Sequence, residues 1–322
     1  MPFLRTVLGD IDAAQAGICY AHEHLIIDPS FTTYVYPEFL LDSVDRAVVD
    51  VADFYAAGGR TLVDSMPCGG GRNVLKLAEI SRRTKAQIVC PTGLHLPKYY
   101  APGHWGGRLK VDELAALFVA DIEQGIDAAD YNGPQVSRTA HKAGVIKVAT
   151  GQKDPTAHER KIFEAASLAH RQTGAPILTH TEQGVGAIEQ VKLFQEFGVP
   201  LAHVAISHTD RAPDMAYHQE ILATGVMLEY DSAFRWPAEK GNPTLDLVVA
   251  LVAAGFGAQI MLGMDAARRK YWRAYDGGPG LAFLLTEFVP RLKSSGLTDA
   301  DVKKIFVTNP ADCYAFTSPR AA

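Results

Sequence analysis

The sequence predicts an α/β protein folded as one (β/α)8 TIM barrel over residues 1–322, and three features support this. Eight short, β-rich apolar runs recur along the chain. Helical apolar spacing fills the intervals, and no Ser/Gly-rich linker, charge run or low-complexity tract interrupts the rhythm. A doubly wound open sheet is the structural alternative. It would want a Gly-rich turn after its first strand, whereas here the first run ends in His-Glu-His.

The first run is Ile18–Ile27. Val44, Ala47, Val48, Val51, Phe54 and Tyr55 then recur at helical spacing, between a cap at Asp42 and the pair Gly58-Gly59. The second and third runs are Arg60–Met66 and Gln87–Thr92, and a helical pattern fills 112–130 before the fourth run, Val145–Thr150. Asp154 reads as the next N-cap with Pro155 at the first helical position, and Gly174 is placed to end that helix. The remaining runs are Ile177–Thr181, Val204–His208, Val226–Tyr230 and Ile260–Met264. Helical patterns follow them at 184–197, 213–223, 244–255 and 280–295.

Composition narrows the function. With 31 Lys+Arg against 36 Asp+Glu the net charge is −5, so no basic stripe is available for a phosphate backbone, and nucleic acid is not an expected partner. Hydrophobic residues make up 48% of the chain, which excludes disorder. The four cysteines, Cys19, Cys68, Cys90 and Cys313, form no CxxC pair and read as reduced thiols of a cytoplasmic protein. The N-terminus has no signal-peptide pattern and no stretch approaches the roughly 20 apolar residues of a membrane span, so no membrane association is expected.

Strands of a parallel barrel are covered on both faces, so polar residues within them are costly unless they have a task. Here they gather at the C-terminal strand ends, where barrel active sites are built. His22 and His24 flank Glu23 in the first run and, two apart on a strand, reach one side together. Lys147 interrupts the otherwise apolar fourth run and shares its face with Val145 and Ala149. His180, His208 and Asp265 end the fifth, sixth and eighth runs. Each alone fits a satisfied core residue or a structural ion pair. Six at one end of one barrel point instead to a pair of borderline divalent ions, with zinc foremost and cobalt, manganese or iron as alternatives.

The order H-x-H, Lys, His, His, Asp on strands one, four, five, six and eight resembles the phosphotriesterase-like family of the amidohydrolase superfamily, from residue 17 to about residue 316. The resemblance implies that CO2 carboxylates Lys147 to a carbamate bridging two metals. It also implies that His22, His24 and Asp265 hold the more buried ion, and His180 and His208 the more exposed one. A bridging hydroxide would then be the nucleophile and Asp265 the proton shuttle, giving an ester-bond hydrolase: a lactonase or phosphotriesterase. Homodimers are common in that family, so a homodimer is expected by analogy.

Substrate choice rests on the loops. After the third run, His95 follows Thr92-Gly93-Leu94, where organophosphate and acyl-homoserine-lactone hydrolases of the family commonly carry an aromatic residue, and this suggests a more polar substrate. After the eighth run, Arg268, Arg269, Lys270 and Arg273 lie within eight residues of Asp265, on loops that often bind phosphate in such barrels. Lys240, Arg268 and Tyr271 resemble the phosphate-binding pattern of the subgroup that hydrolyses phosphorylated sugar lactones, a fork, a point charge and a phenol suited to a phosphate monoester. The expected substrate is therefore a small phosphorylated sugar lactone. An apolar ester or acyl-homoserine lactone is the alternative, and a non-catalytic small-molecule binding barrel is a third reading.

Overall fold

The computed structural model of the chain describes residues 1–237, 239 and 241–317. Eight parallel strands form a (β/α)8 barrel: β1 (Ile18–Glu23), β2 (Gly59–Asp64), β3 in two pieces (Gln87–Val89 and Pro91–Gly93), β4 (Val145–Thr150), β5 (Ile177–Thr181), β6 (Val204–Ser207), β7 (Met227–Tyr230) and β8 (Ile260–Leu262). Neighbours pair in sequence order, as in Lys147 with Leu178 and Leu178 with Ala205. The ladder breaks between the two pieces of β3, where Pro91 has no N–H to donate. Between β8 and β1 the barrel closes through the end of the strand, because the N–H groups of Met264 and Asp265 donate to the His22 carbonyl at 3.2 and 3.0 Å. Buried Glu23 reinforces that seam by accepting from Met264 N–H at 2.8 Å.

The barrel interior is a packed layer of Cys19, Ala21, Val63, Val89, Val145, Leu178, Ala205, Met227 and Met261. An antiparallel hairpin, Phe3–Thr6 with Gly9–Asp12, and the helix Asn309–Tyr314 close its lower end, with Leu4 and Tyr314 in the same cluster. Strict alternation after Cys19 and Ala21 would turn His22 outward. The β1–β2 register slips between Tyr20 and Glu23, and this irregularity lets both His22 and His24 face the barrel mouth.

Outside lie α1 (Val44–Ala56), α2 (Val74–Thr84), α3 (Val111–Glu123), α4 (Ala157–Thr173), α5 (Ala187–Glu196), α6 (Met215–Leu222), α7 (Pro243–Ala253) and α8 (Val289–Ser294), the last preceded by a π-helical turn at Leu284–Phe288. Sequence-based boundaries need correction: the first strand ends at Glu23, not Ile27, and the last helical stretch starts at Leu284, not residue 280. The cap of α1 is Ser43, whose hydroxyl accepts from Arg46 N–H, while the Asp42 carbonyl accepts from Lys76. Helix α4 starts two residues after the Asp154-Pro155 pair, at a Thr156–Glu159 capping box, and ends at Gly174 as expected. Helix α3 stops short of residue 130. Gly125 adopts φ +125°, and a Cβ there would lie 1.9 Å from the Thr139 carbonyl. Among the described residues, no helix is long and apolar enough to cross a membrane.

Candidate metal centre

The strand ends open into a cavity of about 440 Å³ lined by, among others, His22, His24, His95, His180, His208, Asp265, Arg268 and Tyr271. Ligand atoms of His22, His24 and Asp265 lie within 4.8 Å of one another. Asp265 Oδ1 is 3.2 Å from His24 Nε2 and 3.7 Å from His22 Nε2. The His180 and His208 rings stand 4.5 Å apart, and His208 is 4.8 Å from His22. His180 turns Nε2 toward Glu182 at 3.3 Å, which leaves Nδ1 for ligation. Two of these residues follow their strands in the left-handed region, His208 at φ +71° and Asp265 at φ +45°. For residues with a Cβ that is strain of order 1–3 kcal/mol, held by the surrounding fold at a functional site.

Lys147 is 1% exposed, close enough to His22 and Asp265 to interact with their charges, and its Nζ has no hydrogen-bond partner. Burial pushes its pKa down to about 8, against the pull of Asp265 and Glu229. The imidazoles of His22, His180 and His208 are held neutral. Burial, with help from Lys147, keeps His22 well below its ordinary range. Burial likewise takes His180 to about 4, and burial with the Arg211 charge takes His208 to about 3. Neutral imidazoles, one carboxylate and an unpartnered buried amine are the donor set that a pair of divalent cations joined by a lysine carbamate requires, so the residues present fit such a group.

Several residues in the site were not anticipated. Arg211, after β6, and Arg235, after β7, both donate to Asp265 Oδ2, at 2.8 and 2.9 Å. Burial disfavours the Asp265 carboxylate, but Arg235 and the contact with His24 outweigh it and hold its pKa well below the usual carboxylate range. On β7 and just beyond it, Glu229 and Asp231 are fully buried. The test that singled out Lys147, a charge inside an apolar run, applies equally to Glu229 in Val226–Tyr230. Arg211 and Arg235 lie in loops whose direction no periodicity reveals.

The substrate-side expectations divide. Arg268 precedes and Tyr271 ends one turn of 3-10 helix and both line the cavity, and His95 packs edge-on against His180 with rings 4.7 Å apart. The dense cationic loop, however, does not face the site as a whole. Arg269 donates to the Leu40 carbonyl and Arg273 pairs with Asp53, away from the cavity. Lys240 lies outside the described residues.

The phosphotriesterase family model matches residues 2–314. The chain belongs to that family. A phospho-furanose lactonase from Mycoplasmopsis agalactiae is 34% identical over 99% of this chain and 93% of the relative. The crystal structure of an amidohydrolase from Mycoplasma synoviae superposes with a TM-score of 0.94 at 34% identity, covering 99% of this chain and 93% of that one. The Escherichia coli phosphotriesterase homology protein, solved with phosphate in its active site, gives a TM-score of 0.84 at 31% identity, covering 93% of this chain and 99% of that one.

Proposed function

We propose that this member of the family is a cytoplasmic, binuclear metal-dependent lactonase acting on phosphorylated furanose lactones. The observation that carries the substrate class is the presence of Arg268 and Tyr271 on the wall of the cavity that holds the histidine and aspartate cluster. The phospho-furanose lactonase relative and the phosphate in the Escherichia coli homologue support the same reading. Four buried, unpaired thiols suit a reducing compartment.

In this reading His22, His24 and Asp265 would hold one cation, His180 and His208 the other, and a carbamate on Lys147 would be shared between them, with zinc the ion best suited to the donors. When bound, two such ions would supply an acidified water and would polarise the lactone carbonyl. Asp265 Oδ1 faces the histidines, and the Asp265 carboxylate is the group that moves the proton. Arg211 and Arg235 donate to Oδ2 and weaken its hold, so the proton passes readily to the departing ring oxygen. Arg268 and Tyr271 anchor the phosphate, and that remote binding energy orients the carbonyl. His95 presents a polar edge to the sugar hydroxyls.

The test compares a 1,4-lactone carrying a 5-phosphate with its non-phosphorylated counterpart and with a neutral phosphotriester. Wild type should prefer the phosphorylated lactone. Equal kcat/KM for the two lactones, or a preference for the phosphotriester, would turn the assignment toward apolar esters.

A further inference from the structure

Strand β7 supplies none of the six residues assigned to the metals, yet it carries the acid Glu229, and a second acid, Asp231, follows one residue past its end, two positions on. Each backs a different histidine of the cluster. Asp231 Oδ2 is hydrogen-bonded to His208 Nδ1, and its other oxygen accepts from Arg211 at 2.8 Å. Glu229 Oε2 lies 3.4 Å from His22 Nδ1, the nitrogen that also meets Ser207 Oγ at 2.9 Å. Ser207 and Glu229 are register partners on adjacent strands.

Glu229 has no structural task that accounts for it. It is fully buried and makes no hydrogen bond of good geometry; its carboxyl meets the looser contacts of His22 Nδ1 at 3.4 Å and of Ser207 and Asp231. A buried acid held so loosely is destabilising, so the fold tolerates it rather than depends on it. The space around it is tailored nonetheless. A Cβ on Gly263 would come within 2.8 Å of Glu229 Oε1 and 2.6 Å of the His22 carbonyl oxygen, so the glycine of β8 lets the acid and the histidine sit side by side. A ligating histidine needs one ring nitrogen fixed by an acceptor so that the other presents its lone pair to the ion.

We propose that Glu229 is a positioning residue for the metal centre, orienting His22 through Nδ1 so that Nε2 ligates, as Asp231 does for His208. β7 thus acts as the supporting strand of the site. This rests on the binuclear reading above. It predicts opposite responses of fold and metal affinity. Zn2+ affinity, measured by competition with a chromogenic chelator, should fall about 10- to 100-fold in Glu229→Met, while the metal-free protein melts at or above the wild-type temperature. Glu229→Gln, which keeps an acceptor oxygen, should recover part of the affinity.

Wild-type affinity in both variants would overturn the proposal. So would metal-free melting well below wild type in both, which would make Glu229 a structural residue. Wild-type protein that takes up no Zn2+ would overturn the binuclear reading itself, and the proposal with it.

Discussion

Replacing Lys147 with methionine keeps an unbranched chain in the barrel but removes the amine. With its pKa lowered from 10.5 to about 8 by burial, roughly one Lys147 in ten is neutral at pH 7, against about one in three thousand for an ordinary lysine. Only the neutral amine attacks CO2, so the site gains about 300-fold in reactive form before any metal arrives. Metal-free wild type should therefore regain Zn2+ and hydrolase activity faster when bicarbonate is supplied, and 13C-bicarbonate should label one lysine. Lys147→Met should do neither. Stability should move the other way. A lysine whose folded pKa lies below its unfolded value is destabilising while protonated, and the penalty disappears as pH rises from about 8 through 10.5. Urea unfolding of metal-free Lys147→Met should thus exceed wild type by about 3 kcal/mol at pH 7, with the gap closing near pH 10.5. Full metal content and activity in Lys147→Met, or wild-type reactivation indifferent to bicarbonate, would refute the carbamate bridge.

Arg268→Ala should lower kcat/KM for the phosphorylated lactone about 10- to 100-fold, the scale of one charged hydrogen bond, and leave the non-phosphorylated lactone nearly unchanged; equal losses on both would remove the clamp. Arg235→Met takes a cation from Asp265, so the Asp265 pKa rises and the acid limb of the kcat profile should move to higher pH, an unmoved limb counting against Asp265 as the proton carrier. His180 and His208, with folded pKa values of about 4 and about 3, bind protons less readily than the unfolded chain, at about 6.5. The metal-free protein should therefore lose stability as pH falls below about 6.5 toward 3, and a flat urea midpoint between pH 7 and 4 would contradict their neutral burial.

Most of the fold was legible because a parallel barrel buries its strands on both faces, leaving apolar runs such as Val145–Thr150 and Ile177–Thr181 that match the observed strands to the residue. Helix starts were less legible. Asp42 and Ser43, or Asp154 and Thr156, are equally good capping types, and only the donors three residues on decide which one caps.

The site shows the same division. Sequence alone determined the barrel and singled out the candidate set His22, His24, Lys147, His180, His208 and Asp265, because an ionisable residue in an apolar strand is an exception visible in one dimension. Tertiary structure decided how those groups are used. The register slip in β1 aims His22 inward, left-handed turns at His208 and Asp265 set their side chains, and closure of the barrel brings Glu229 of β7 beside His22 of β1. It also sent Arg269 and Arg273 outward to Leu40 and Asp53 and brought Arg211 and Arg235 onto Asp265. Loop side chains follow whichever carboxylate or carbonyl the folded neighbours place within reach, and residues 20 to more than 200 positions apart meet only once the sheet has closed.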